Sequence, residues 1–311
     1  MLEKPTVHIL MATHNGATYL EEQLASIARQ THSEWTLTVS DDGSSDGTLE
    51  IVQRFATQIA RPLSLLQGPS KGSSTANFYH LMAQAPAGNV QDLYAFCDQD
   101  DVWHDDKLQR AVQWHLLHLG QTIRLYCGRS QVVNEKLLHI GLSPSVIRPP
   151  SFGNALVQNI ASGNTMVLSH DLLLTLRKIQ SKHSIWHDWT TYLVATALEG
   201  NVFFDEKPTL LYRQHDSNVI GSNNGIKAQI HRLKPLLSGR YKCWSMKTEL
   251  AIYDIKDALP SNSLKVFNQF KKIRHSRSLA VRLFYYAKSS VRRQTHKSNI
   301  LLFIAIIFRL A

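Results

Sequence analysis

Leu93-Tyr94-Ala95-Phe96-Cys97 runs without a break into Asp98-Gln99-Asp100-Asp101-Val102-Trp103, and this stretch decides how the chain is read. Five apolar residues have the length and character of a buried strand. At the carboxyl end of that strand the sequence switches to acids at 98, 100 and 101. In open α/β sheets, ligands bind beyond the carboxyl ends of the strands, so the segment predicts both a sheet and a site. If the strand continues, Asp98 and Asp100 face one side, because side chains alternate with period two. Two carboxylates so placed repel unless a cation sits nearby. Mg²⁺ or Mn²⁺ suits hard oxygen ligands, and Mg²⁺ often takes one or two carboxylates plus substrate phosphates. A diphosphate substrate is the natural partner for such a pair. The competing reading is an acidic loop that caps a helix opening near Asp105. Trp103 then walls a sugar pocket or covers that helix start.

Outward from this stretch, apolar β-rich runs alternate with helical patterns. Strands are expected at Val7–Ala12, Thr36–Val39 and Leu63–Leu66, and helices at Ala17–Arg29, Thr48–Ile59, Thr75–Ala85 and Asp105–Leu119. Ser45 or Asp46 is the expected N-cap of the second helix. This order argues a mostly parallel sheet covered by helices on both faces. Further strands at Leu125–Val133, Thr165–Leu168 and Val202–Tyr212 break the alternation and predict a mixed sheet. Pro144, Pro149 and Pro150 mark an irregular crossing, and the polar, Gly-rich run Ser217–Gly225 separates the α/β body from a helical tail.

Two other strand ends carry polar turns: Thr13-His14-Asn15-Gly16, and Asp41-Asp42-Gly43-Ser44-Ser45-Asp46-Gly47. Each alone reads equally well as a loop or a capped turn. Past the crossing come Ser162-Gly163-Asn164-Thr165 and then Trp186-His187-Asp188-Trp189 at a helix start. Asp188 there is a dipole-favoured carboxylate, or a general base beside aromatic surfaces on which sugars stack. Arg213-Gln214-His215 ends a strand and could reach phosphates or metal; a surface loop is the alternative. The chain has no G-x-G-x-x-G and no P-loop pattern, which removes two of the commonest other uses of an α/β sheet.

Taken together, Thr13-His14-Asn15, Asp41-Asp42-Gly43-Ser44, Cys97 to Trp103 and His187-Asp188 resemble the family 2 glycosyltransferases. The Asp-Gln-Asp-Asp-Val-Trp form and Tyr212-Arg213-Gln214-His215 are most similar to bacterial rhamnosyltransferase-like members. The likeness covers about residues 5–220, and no family motif is matched beyond them. It implies a GT-A fold: a mixed, mostly parallel central sheet in a catalytic domain of residues 1–225, with a basic helical extension at 226–311. It also implies inversion at the anomeric carbon, a nucleotide-diphosphate sugar donor and a divalent metal. On that resemblance Thr13, Asn15, Asp42 and Asp98 bind the nucleotide donor. Asp100 is the metal ligand, with Asp98 and His215 as further candidates. Asp188 is the catalytic base, in a position where most of the family has a Glu-Asp pair and this chain has His187 before the Asp. Trp103, Asn164, Trp186, His187 and Trp189 are candidates for the acceptor or sugar pocket, and Arg213 for the phosphates.

Charge is distributed unevenly. The 311 residues carry 34 Lys/Arg and 24 Asp/Glu. Residues 1–226 hold 16 basic and 21 acidic side chains, and residues 227–311 hold 18 and 3, so the basicity belongs to the tail. In Lys265–Arg293 cations recur among Phe267, Phe270, Ile273, Phe284 and other apolar residues, a pattern suited to an anionic membrane surface. Ile300–Phe308 is a nine-residue apolar run, too short to span a bilayer but able to enter its interface. A basic subdomain packed on the body is the competing reading. No basic-aromatic recognition module is visible, so nucleic acid is not an expected partner. Cys97, Cys127 and Cys243 form no paired motif, and no secretory leader is seen. The expected enzyme works at the cytoplasmic face of the plasma membrane. There it extends a glycan or lipid-linked acceptor in surface polysaccharide synthesis, with rhamnose or another deoxyhexose as the donor sugar. The rival readings are a non-catalytic membrane-recruited scaffold and a metal-dependent nucleotidyltransferase.

Overall fold

The computed structural model describes residues 4–215 and 239–310. The Ser217–Gly225 break and the expected boundary at 225/226 lie outside the described residues. A seven-stranded sheet forms the centre, in the order β10-β6-β9-β4-β1-β2-β3. Its strands are β1 (Val7–Thr13), β2 (Trp35–Asp41), β3 (Leu63–Gln67), β4 (Leu93–Cys97), β6 (Arg124–Gly128), β9 (Val167–Ser169) and β10 (Asn201–Asp205). Strands β1, β2, β3 and β4 pair in parallel, as do β6 and β10, while β9 runs antiparallel to both β4 and β6. The expected mixed, mostly parallel sheet is therefore what forms. Because β1 lies between β2 and β4, the carboxyl ends of three strands open onto one crevice.

Alternation along the central strands feeds two cores. Leu10 and Phe96 point to one face, where α3 (Ser74–Gln84), α6 (His170–Leu176) and α7 (His187–Ala197) cover them. Ile9, Met11, Ala95 and Cys97 point to the other, under α1 (Leu20–Ala28), α2 (Thr48–Gln58) and α4 (Lys107–Leu117). Burial on both faces explains why these strands read as continuous apolar runs.

Sequence reading missed a second sheet. The expected strands Leu125–Val133 and Val202–Tyr212 each divide in two. Their second halves, β7 (Gln131–Val133) and β11 (Leu210–Arg213), join β5 (Val102–Trp103) and β8 (His139–Leu142) in the order β5-β11-β7-β8. The two chains leave the central sheet together. Arg129 N donates to Asp205 O at 2.9 Å, and Thr209 N donates to Arg129 O at 3.0 Å. This step carries β11 and the residues after it over the acidic end of β4. That acidic end is itself a turn: β4 stops at Cys97, so Asp98 and Asp100 are not placed by strand alternation.

After the short helix α5 (Phe152–Ala155), four helices complete the chain: α8 (Arg240–Asp254), α9 (Ser261–His275), α10 (Leu279–Lys288) and α11 (His296–Ile307). Phe267, Phe270 and Ile273, expected to face lipid, are instead buried in the same core as Leu172, Leu173 and Leu176. The apolar stripe of α9 is used up in packing. Polar contacts bolt this region down: Asp254 accepts from His183 Nδ1 at 2.8 Å and from Gln180 N at 3.0 Å. Arg274 pairs with Glu249 at 2.6 Å, both largely buried. The buried guanidinium of Arg282 donates to the Ile306 and Ile307 carbonyls, holding the C-terminal end of α11 where free carbonyls favour a cation. Ile300, Phe303, Ile304 and Phe308, spaced to lie on one helical face, stay exposed on α11, as does Phe284 on α10.

Candidate active site

A cavity of ≈630 Å³ opens at the carboxyl ends of β1, β2 and β4, within the range of small-molecule sites. Thr13, Asn15, Asp42, Asp98, Asp100, Trp186, His187, Asp188 and His215 all line it. Nine of the thirteen residues expected at the site thus meet in one place, from five separate stretches of chain.

The β1 and β2 ends are tied to each other. Asp41 organises its turn, accepting from Thr13 Oγ1 at 2.9 Å, Ser44 N at 2.8 Å and Gly43 N at 3.2 Å. With Asp41 so occupied, Asp42 is the carboxylate left facing the cavity, where it accepts from Gly72 N at 2.9 Å. Asn15 takes a left-handed backbone, φ 48°, tolerable for Asn because its short amide bonds locally. Its Oδ1 accepts from Ser45 N at 2.9 Å. The N-cap of α2 is Gly47, not the expected Ser45 or Asp46, and it offers no side-chain cap; Asp46, one residue earlier, accepts from Thr48 N at 3.1 Å.

The β4 end supplies the acidic wall. Gln99 reaches back to the β1 turn, accepting from His14 N at 2.8 Å and donating to His14 O at 3.1 Å. Gly16 is required beside it, since a Cβ there would collide with the Gln99 amide. Asp98 is pushed up to about 7, first by burial and then by the facing carboxylates of Asp100 and Asp188. Asp100 Oδ2 lies 2.9 Å from His215 Nε2. That carboxylate-imidazole pair fits Mg²⁺ or Mn²⁺ with further ligands drawn from a phosphate substrate. Among the described residues no group of three or more His, Cys, Asp or Glu side chains could hold an ion unaided.

The opposite wall is the start of α7. Asp188 Oδ1 accepts from Trp189 N at 2.6 Å, and the Asn159 amide and the Gly163 backbone N–H lie near enough to favour its ionised form. Burial outweighs these donors and raises its carboxyl to about 6. His187 stacks on Phe78 with ring centres 3.8 Å apart and meets Phe96 edge-on at 5.0 Å. Burial holds its imidazole neutral, its pKa lowered to about 3. Where most of the resembled family has a second carboxylate, this chain has an uncharged aromatic wall.

Four expected site residues do not line the cavity. Trp103 is buried beneath the Lys107 ammonium, 3.8 Å from its ring centre. Asn164 is buried and donates to Asp101 Oδ2 at 2.6 Å. Trp189 turns its indole N–H to Ala155 O at 2.7 Å and packs behind the cavity against Trp244. Arg213 donates to Asp100 O at 3.0 Å, to Glu135 O at 2.6 Å and to the Glu22 carboxylate, and lies over the Tyr19 ring. It braces the backbone of the acidic turn. Gln99, Tyr19, Glu135 and Tyr212 line the cavity without having been singled out. Only the adjacency of β1 to β4 and the path of β11 reveal them.

The chain is similar to known proteins in sequence and in fold. The model of the family described as Glycosyl transferase family 2 matches residues 8–180. The chain is 31% identical over 267 residues to the dTDP-rhamnosyl transferase RfbG of Shigella flexneri, covering 82% of this chain and 88% of that protein. It is 28% identical to the UDP-Glc:alpha-D-GlcNAc-diphosphoundecaprenol beta-1,3-glucosyltransferase WfgD of Escherichia coli, over 54% of this chain and 61% of that one. Among solved structures, S. aureus TarS 1–349 superposes with a TM-score of 0.58 at 17% identity, covering 98% of this chain and 80% of that one. The mannosyltransferase PcManGT from Pyrobaculum calidifontis, in complex with GDP-Man and Mn²⁺, gives 0.53 at 15% identity, covering 99% and 88%. These two likenesses are likenesses of fold.

Proposed function

The chain belongs to glycosyl transferase family 2, and from that premise we propose an inverting, metal-dependent transferase that moves a deoxyhexose, rhamnose first, from a nucleotide-diphosphate donor. The observation that carries the reading is the pairing of two unlike walls across one cavity. Asp100 and His215 stand on one side and the buried base Asp188 on the other. Thr13, Asn15 and Asp42 take the nucleotide, and Asp98 the ribose. Asp100 and His215 would hold the divalent metal, Mg²⁺ or Mn²⁺. When bound, that metal supplies positive charge against the diphosphate leaving group.

Asp188 takes the proton of the acceptor hydroxyl as its oxygen attacks the anomeric carbon. The bond from that carbon to the diphosphate oxygen breaks with its electron pair on the leaving group. A single displacement inverts the centre and needs no covalent enzyme intermediate. A pKa near 6 suits the task, since such a base is ionised at neutral pH yet more basic than an ordinary carboxylate. Trp186 offers the acceptor a flat, weakly polar surface, and His187, stacked on Phe78, backs the same wall. The rhamnosyl donor rests on the likeness to the Shigella protein, and a lipid-linked acceptor in polysaccharide synthesis on the likeness to the E. coli one.

The same reading places the enzyme on the cytoplasmic face of an anionic membrane. Among the described residues no helix is long and apolar enough to cross one. Exposed Phe284, Ile300, Phe303, Ile304 and Phe308 would enter the interface, with Lys288, Lys297 and Arg309 toward lipid head groups. Each such cation contributes about 1 kcal/mol near an anionic leaflet. The test pairs two assays. Transfer from dTDP-rhamnose should depend on Mg²⁺ or Mn²⁺ and give the inverted linkage; no turnover with any nucleotide sugar would sink the transferase chemistry. Sedimentation with phosphatidylglycerol vesicles should fall for the F303S/F308S variant; unchanged binding would sink the membrane face.

A further inference from the structure

Lys107 is fully buried, an unusual position for an ammonium, and the chemistry above does not use it. Its Nζ donates to the Asn164 backbone carbonyl and sits over the Trp103 ring. The Asn164 side chain is held from the other direction, donating to Asp101 Oδ2 at 2.6 Å. Asp101 is fully buried and points away from the cavity that Asp98 and Asp100 line. Asn164 is thus gripped twice from the acidic segment: at its backbone by the first residue of α4, and at its amide by the residue after Asp100.

What Asn164 holds in turn is the base wall. Its neighbour Gly163 lies near enough for its backbone N–H to favour the Asp188 carboxylate. Gly163 also lies flat against the His187 ring, so close that a Cβ would collide with His187 Nε2. Thr165, on the far side of Asn164, bonds into β6 through the Gly128 N–H at 3.2 Å.

We infer that Lys107, Asp101 and Asn164 form a buried clasp that fixes the Ser162–Gly163 turn, and through it Asp188, against the Asp98–Asp100 wall. They are positioning residues for the transfer reaction. The inference rests on the transferase reading in assigning Asp188 the role of base, but the mechanical link stands on geometry alone. Fixed spacing between base and donor wall matters because a misplacement of about 1 Å can cost ~10²-fold in rate. A buried charge is also a costly way to brace a turn, since unpairing it is strongly destabilising. An apolar residue would fill the space but could not hold a carbonyl in one orientation.

The test compares Lys107→Met and Asn164→Ser with Leu176→Ala, a core truncation that serves as the stability control. Two readouts are taken: kcat against donor KM, and the titration of the Asp188 carboxyl by ¹³C NMR, assigned from its loss in Asp188→Asn. The clasp predicts kcat lower by about 10²-fold in Lys107→Met with donor KM little changed. It also predicts an upward move of the Asp188 titration, because the Gly163 donor is displaced. Asp101→Asn with Lys107→Met should cost no more than the worse single variant. Should Lys107→Met fail to fold, Asn164→Ser, which cuts only the Asp101 arm, carries the same directional expectations. A kcat and an Asp188 titration that move no further than in Leu176→Ala would overturn the clasp. The NMR readout needs no substrate: a moved titration in a protein without turnover would uphold the clasp while the transferase reading failed.

Discussion

The two walls of the cavity use the same residue type under opposite conditions. On the strand-end wall, Asp98 and Asp100 crowd together and Asp42 lines the same cavity, held by backbone donors, a glutamine bridge and an arginine brace. On the helix-start wall, Asp188 has no carboxylate partner in sequence and sits beside a neutral, stacked histidine. Crowding favours a cation on the first wall. Burial raises the Asp188 carboxyl, as the proposed role of base requires. Surroundings, not residue type, divide the labour.

The largest effect that would test this division is Asp188→Asn. Removing a positioned base should lower kcat by roughly 10²–10⁴-fold. Donor affinity, measured by calorimetry, should hold near that of the unaltered protein, because it depends on the other wall. Asp100→Ala should do the reverse, abolishing the gain in donor affinity that Mn²⁺ confers. Equal donor affinity with and without Mn²⁺ in the unaltered protein would break the comparison on that side.

A smaller effect is expected from Gly163→Ala. Its added methyl must displace the His187 ring, so kcat should fall by about 10–10² while metal-dependent donor binding persists. A variant with unchanged kcat would mean the base wall tolerates movement that the geometry forbids.

The pH profile sharpens the contrast without mutation. Asp188 acts as base only when ionised, and its carboxyl is raised from an ordinary 3.8 to about 6. Activity should therefore fall as pH drops through about 6, well above the usual carboxylate range. The stability consequence has the opposite sign. A carboxyl that is more basic folded than unfolded takes up protons on folding between pH 4 and 6, so its ionised form costs stability above pH 6. Asp188→Asn should raise Tm modestly at pH 7.5 and have little effect at pH 4. A lowered Tm at pH 7.5 would show Asp188 to be a structural carboxylate.

The two walls also differed in how far the sequence revealed them. Asp98, Asp100 and Asp42 were readable because each follows a short strand, and strand ends are where ligands gather in such sheets. Asp188 was readable from its aromatic company at a helix start. The misplaced residues share a different cause. Trp103, Asn164 and Arg213 sit in polar or aromatic segments beside the site, and sequence proximity carries no sign of which way a side chain turns. Arg213 braces the Asp100 carbonyl only because the chain bends out of the central sheet near Gly128 and Asp205, and that bend was hidden in two long apolar runs. The tail misled for a related reason. Phe267, Phe270 and Ile273 have the spacing of an interfacial helix, and packing onto the body uses the same spacing. Lys107 shows the limit most clearly: in sequence it is one more polar residue opening a helix.

The division of labour is tested most directly by a single paired measurement on Asp188→Asn: sugar transfer and Mn²⁺-dependent donor binding in the same preparation. Transfer lost with donor binding intact is the predicted result. Transfer retained, or transfer and donor binding lost together in a folded protein, would contradict it.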